Sequence, residues 1–102
     1  MKVKTIDVIA KEWFDKANGN SYFSASVCVN FRMETQKDYS LPFQYGYGDH
    51  YIDMANQYLI KKGIVTSERW TNGAYLPLWA YCQENNIILR TTKYENCKKR
   101  QL

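Results

Sequence analysis

The run Leu41-Pro42-Phe43-Gln44-Tyr45-Gly46-Tyr47-Gly48-Asp49-His50-Tyr51 concentrates the residue types best suited to bind something. It holds four aromatics, two of five glycines, one of two prolines and the only histidine. A strand is predicted to end here and a helix to begin. Backbone amides at a helix start point outward unpaired and carry partial positive charge. Glycine lets a ligand approach the backbone closely, and tyrosine offers a flat face with a polar tip. The predicted binding residues are Tyr45, Gly46, Tyr47, Gly48, Asp49, His50 and Tyr51.

The chemistry on offer is binding rather than turnover. General acid–base and nucleophilic catalysis want a partner group in reach. Asp49 and Asp53 flank His50 in sequence, but each also has an ordinary reason to sit at a helix start. Cys28, Cys82 and Cys97 are widely spaced and form no CxxC pair. With His50 they do not make up the four or so ligands, at short spacings, of a zinc site. No enzymatic activity, metal or cofactor is expected.

Gly46 and Gly48 precede a helix N-terminus, where anions are favoured. The segment lacks the Gly-Lys-Ser/Thr ending of a P-loop, and Tyr51 stands where the third glycine of GxGxxG belongs. Asp49 would also compete with an anion for the same amides. The plain alternative is a tight strand-to-helix connection with its tyrosines packed over the sheet edge. Stacking on single-stranded nucleic acid usually needs a basic groove beside the aromatics. Residues 38–58 carry Asp38, Asp49 and Asp53 but no lysine or arginine, so direct nucleic-acid binding is not expected.

The elements that must position these residues read as follows. Residues 3–10 alternate and are rich in β-branched types, which predicts a strand, with Trp13 and Phe14 as candidates to extend it. Asn18-Gly19 supplies the positive φ of a hairpin turn. Phe23, Ala25, Val27, Val29 and Phe31 share one face of a second strand, opposite Ser24, Ser26, Cys28 and Asn30. Residues 32–37 turn the chain, and Tyr39, Leu41 and Phe43 repeat at period two in a third strand. The three should form a meander. Asp49 is the expected N-cap of a helix from about His50 to Lys62, with Tyr51, Met54, Ala55, Tyr58 and Leu59 as its apolar stripe and Gly63 as its stop. Trp70-Thr71-Asn72-Gly73 suggests a turn, with Trp70 folded back on the core. A second helix is predicted from about Pro77 to Asn85, with Leu78, Trp79 and Cys82 inward. Ile87 to Thr92 makes a fourth strand. The expected fold is α+β, β-β-β-α-α-β, with a four-stranded, mostly antiparallel sheet and two helices on one face.

At 102 residues the chain is one domain with a single modest core. Apolar content of 45% and charged content of 24% suit a globular protein. The net charge of +4 is unevenly placed: residues 1–89 carry nine basic and nine acidic side chains. The excess lies in Arg90, Lys93, Lys98, Lys99 and Arg100 against Glu95 alone. Residues 1–95 are therefore read as the domain and 96–102 as a basic C-terminal tail, able to touch phosphate or an acidic surface. Met1-Lys2-Val3-Lys4 leads into alternation rather than an apolar run, and no stretch reaches the ~18 apolar residues of a membrane span. A reducing cytoplasm with free thiols is expected.

Asn18-Gly19-Asn20-Ser21-Tyr22-Phe23-Ser24, followed by Leu41-Pro42-Phe43-Gln44-Tyr45-Gly46-Tyr47-Gly48-Asp49, resembles a group of short bacteriophage and prophage proteins, from Val3 to about Cys97. The resemblance implies a phage origin and action in a bacterial cytoplasm. Small non-catalytic phage proteins of this size are often inhibitors of host defences, including anti-CRISPR proteins, or sequester nucleotide signals. The leading expectation is a protein that binds and inhibits a host complex, most simply a nuclease effector. Tyr45, Tyr47 and His50 would make the contacts, with Lys98, Lys99 and Arg100 as an electrostatic aid. The competing expectation is a pocket for a phosphorylated small molecule such as a cyclic nucleotide, its base held among Tyr45, Tyr47 and Tyr51 and the pocket shared across a homodimer.

Overall fold

The structure, a computed structural model, describes residues 2–66 and 76–102. The proposed turn at Trp70 to Gly73 lies outside them. Strands β1 (Thr5–Asp15), β2 (Asn20–Val29) and β3 (Lys37–Tyr45) lead to helices α1 (His50–Lys61) and α2 (Leu78–Glu84). Strand β4 (Ile88–Tyr94) and a 3-10 turn, Lys99–Gln101, follow. The sheet order is β3-β2-β1-β4. β1, β2 and β3 form the expected antiparallel meander, and β4 runs parallel to β1 on the far edge.

Alternation decides which face is buried. Ile6, Val8 and Ala10 of β1 pair with Val29, Val27 and Ala25 of β2, and all are buried. Phe23 and Leu41 complete the sheet side of the core. Tyr51, Ala55 and Leu59 of α1 close it, with Leu78, Ala80, Tyr81 and Cys82 of α2. Each large side chain removed from water here contributes about 1.5–3 kcal/mol. α1 stops at Gly63 (φ 75°), where Ile64 N–H donates to Leu59 C=O at 3.0 Å and Gly63 N–H to Ile60 C=O at 3.0 Å. Those paired bonds, with a left-handed glycine, satisfy carbonyls a helix end otherwise leaves open.

Several sequence expectations need correction. β1 runs Thr5–Asp15 rather than 3–10, extending through Trp13 and Phe14 as the sequence allowed. β2 ends at Val29, so Phe31 leaves the strand face and is 47% exposed. The cause is Asn30, which turns the chain with φ 56° and is fully buried rather than on the polar face. Its side chain accepts from Lys4 N–H at 2.7 Å and donates to Lys2 C=O and Thr35 Oγ1, both at 2.9 Å.

Phe43 does not share a face with Tyr39 and Leu41. Ala25 pairs with Leu41 and Phe23 with Gln44, so β3 carries an extra residue at Pro42-Phe43. This bulge on an edge strand, where proline costs no ladder bond, turns Phe43 to the open face of the sheet. Trp79 points outward at 62% exposure, whereas Leu78 and Cys82 face inward as expected. Residues 96–102 are docked rather than trailing: Cys97 N–H donates to Glu12 C=O at 2.9 Å. Among the described residues, no helix is long and apolar enough to cross a membrane.

Candidate functional site

β3 delivers the tyrosine–glycine segment to the edge of the sheet, and α1 carries it away. Gly46 N–H donates to Ser21 C=O at 3.0 Å, extending the ladder one residue past the strand. A Cβ on Gly46 would lie 2.6 Å from His50 Cδ2 and 2.7 Å from Phe23 Cε1, so any side chain there forces one of the rings to shift. Gly48 is needed for a different reason. Its φ is +61°, and the space around it is open. His50 N–H donates to Tyr47 C=O at 3.2 Å and Ile52 N–H to Asp49 C=O at 2.9 Å, which folds the chain tightly into α1.

These turns leave an open cavity of about 460 Å³ lined by Tyr45, Gly46, Tyr47, Asp49, His50 and Asp53. Tyr45 is 56% exposed and Tyr47 71%. The His50 ring stands edge-on to Phe23, centroids 6.0 Å apart. Asp49 takes the N-cap position, but its side chain makes no capping bond, so its carboxylate is left to the cavity wall. Asp53, read in sequence as a possible flank of His50 and as a helix-start charge, belongs to the same wall. Tyr51 does not: it is buried in the core beneath α1 and cannot sandwich a ligand.

Lys93 ties this segment to the sheet. Its Nζ lies 3.2 Å from Gly48 C=O, 3.4 Å from Glu12 and 3.4 Å from Glu95. Burial works against the ammonium, but attraction to Glu12 and bonds to Glu95 and Glu12 outweigh it and raise its pKa. Its charge is therefore committed to the tether.

Among the described residues, the cavity wall thus carries two carboxylates, two phenols and an imidazole, and no lysine or arginine. Carboxylates repel an anion at short range. The faces of Tyr45 and Tyr47 attract a cation, and Asp49 and Asp53 can pair with it. Among the described residues, no three His, Cys, Asp or Glu side chains converge to hold a metal ion.

Lys98, Lys99 and Arg100 are not in this cavity. Lys99 Nζ sits 5.5 Å from the Trp13 ring centroid on the other side of an aromatic row. Trp13 stacks on Tyr22 at 5.6 Å, Tyr22 stacks on Phe43 at 5.1 Å, and Tyr45 meets Tyr22 edge-on at 5.8 Å. The row joins the cavity to the open sheet face through Tyr45. Sequence reading missed Trp13, Tyr22 and Phe43 as surface residues. The available signal was parity: Tyr22 falls on the same face as Ser24 and Ser26.

Elsewhere on the open face, Asp7 accepts two bonds from Arg90, at 2.6 and 2.9 Å. Cys28 lies beside them, its thiol pushed up to about 11 by burial and by Asp38. It is not an activated nucleophile. No family model, curated protein or solved structure matches the chain.

Proposed function

We propose that the chain is a small phage-encoded protein that works by binding, inhibiting a nuclease effector of bacterial immunity in the host cytoplasm. The observation that carries this reading is the polarity of the Tyr45–Asp53 cavity: exposed tyrosines beside two carboxylates, with no lysine or arginine in the wall among the described residues. Such a cavity suits an arginine or lysine side chain projecting from a partner. Nucleases hold nucleic acid with those same side chains. A protein that captures one of them competes for the surface that binds nucleic acid. Tyr45 and Tyr47 supply rigid contact area at low entropic cost, which is why tyrosine is enriched at interfaces. His50 packs against Gly46 and Phe23 and shapes the cavity floor. The similarity of Asn18 to Ser24 and Leu41 to Asp49 to phage proteins supports the setting.

The test is plating of a targeted phage on a host with an active CRISPR nuclease that also expresses this chain. Plating should recover with the natural sequence. It should fall back by at least an order of magnitude with Tyr45→Ala/Tyr47→Ala, provided that variant melts at the same temperature. No recovery with soluble, folded protein, or equal recovery with the double variant, removes this reading.

A further inference from the structure

A second cleft has the opposite chemistry. It is an open cavity of about 420 Å³ lined by Trp13, Phe14, Lys16, Asn96, Cys97, Lys98 and Lys99. We propose that this cleft binds a nucleotide, its base against Phe14 and the rim of Trp13 and its phosphate held by Lys16, Lys98 and Lys99. The inference does not rest on the protein-binding reading, which concerns other residues.

Topology creates the cleft. β4 ends at Tyr94, opposite Lys11, so the last residues of β1 have a free edge. The C-terminal segment crosses that edge, anchored by Cys97 N–H on Glu12 C=O at 2.9 Å. Asn96 turns it with φ 58°, and Lys98 N–H donates to Gln101 Oε1 at 2.6 Å, which fixes the following 3-10 turn. Lys98 and Lys99 therefore project from an ordered wall. Strand alternation aims the Phe14 N–H out of the same edge as the Glu12 carbonyl, where it can donate to a phosphate oxygen.

Charge selects the ligand. Among the described residues, three ammonium groups line the cleft and no carboxylate does. Asp15 lies close enough to feel the Lys99 charge, but its hydrogen bonds go to its own turn. Asp15 accepts from Ala17 N–H at 3.0 Å and Asn18 Nδ2 at 2.8 Å, and Glu12 and Glu95 hold Lys93. Among the described residues, no ion pair involves Lys16, Lys98 or Lys99. Compact ammonium groups bind phosphate as point charges, and aromatic faces stack on bases without regard to sequence. Trp13 is already flanked by Tyr22 at 5.6 Å and Lys99 at 5.5 Å. Phe14, 47% exposed, offers the free ring face.

The experiment titrates the full chain with adenosine 5′-monophosphate, inorganic phosphate and a short single-stranded oligo(dT), followed by calorimetry and backbone amide shifts. The monophosphate should bind more tightly than inorganic phosphate and shift the amides of Phe14 and residues 97–99. Affinity should fall as salt rises. Lys16→Gln/Lys98→Gln/Lys99→Gln should bind at least about tenfold more weakly while melting normally. Binding of the oligonucleotide alone at the same amides would place the nucleotide within a strand rather than free, and still supports the cleft. No binding of either nucleotide probe, shifts confined to Tyr45–Asp53, or full affinity in the triple variant would overturn it.

Discussion

Gly46→Ala is the sharpest perturbation of the packing that shapes the tyrosine cavity. The added Cβ would meet His50 Cδ2 at 2.6 Å and Phe23 Cε1 at 2.7 Å, against an ordinary contact of about 3.5–4.0 Å. His50 is half-buried and its ring can swing toward the cavity. Phe23 is 2% exposed in a close-packed core and has nowhere to go. Overpacking of this kind costs about 1–3 kcal/mol. The φ of Gly46 is not left-handed, so alanine also gains about 0.4–1 kcal/mol through the unfolded state. The net expectation is a loss of about 1–2 kcal/mol, or roughly 5–10 °C in melting temperature for a chain this short. Urea denaturation measures it, and a double-mutant cycle with Phe23→Leu locates it. The alanine should cost less once the ring edge is gone. Gly48→Ala is the contrast. Nothing lies within 4 Å of its Cβ, so only the positive φ is strained, at about 1 kcal/mol, with no coupling to Phe23. A neutral or stabilising Gly46→Ala, or a cost unchanged in the Phe23→Leu background, would contradict the close approach.

Val27→Asp should unfold the domain, because Val27 is fully buried and an unpaired buried charge costs several kcal/mol of a total near 5–15 kcal/mol; circular dichroism and a thermal melt check it. Lys93→Met should release the Gly48 carbonyl and shift the Tyr47 and Gly48 amides, with a stability loss of about 1–2 kcal/mol. Because the Lys93 pKa is raised on folding, its contribution is complete below lysine's ordinary 10.5 and is lost as pH climbs through the raised value. Wild-type stability should therefore fall in that alkaline window more steeply than that of Lys93→Met. Cys28 and Cys82, with thiols near 11, should alkylate at pH 8 at least about tenfold more slowly than an unperturbed thiol, read by peptide mapping.

Much of the fold is legible because strong local signals agree with burial. Period-two alternation from Phe23 to Val29 marks the buried face of β2, and the Tyr51-Ala55-Leu59 spacing marks the inner face of α1. What escapes is whatever depends on a neighbouring strand. The bulge at Pro42-Phe43 exists only relative to β2, so extending the period past Leu41 puts Phe43 on the wrong face. The parallel pairing of β4 with β1 joins segments more than 70 residues apart and leaves no local trace. Phe31 looks periodic but follows Asn30, whose side chain bonds pull the chain out of the strand. At the site, Tyr45, Tyr47, Gly46, Asp49 and His50 are recognisable from type and spacing, and the structure brings them together around one cavity. Tyr51 has two readings in sequence, ligand contact and helix stripe, and burial decides for the second. The basic C-terminal residues read as a solvated tail because nothing in their own pattern reveals the free edge of β1 on which they dock.

The most direct measurement is the equilibrium affinity of the purified chain for a purified CRISPR nuclease effector with its guide, compared between wild type, Tyr47→Ala and Asp49→Asn/Asp53→Asn. An aromatic, acidic cavity that captures a basic side chain should give saturable binding. Each variant should weaken it by about tenfold or more, and nucleic-acid target should compete. Binding that survives both variants, or a folded wild-type chain that does not bind at all, would contradict it.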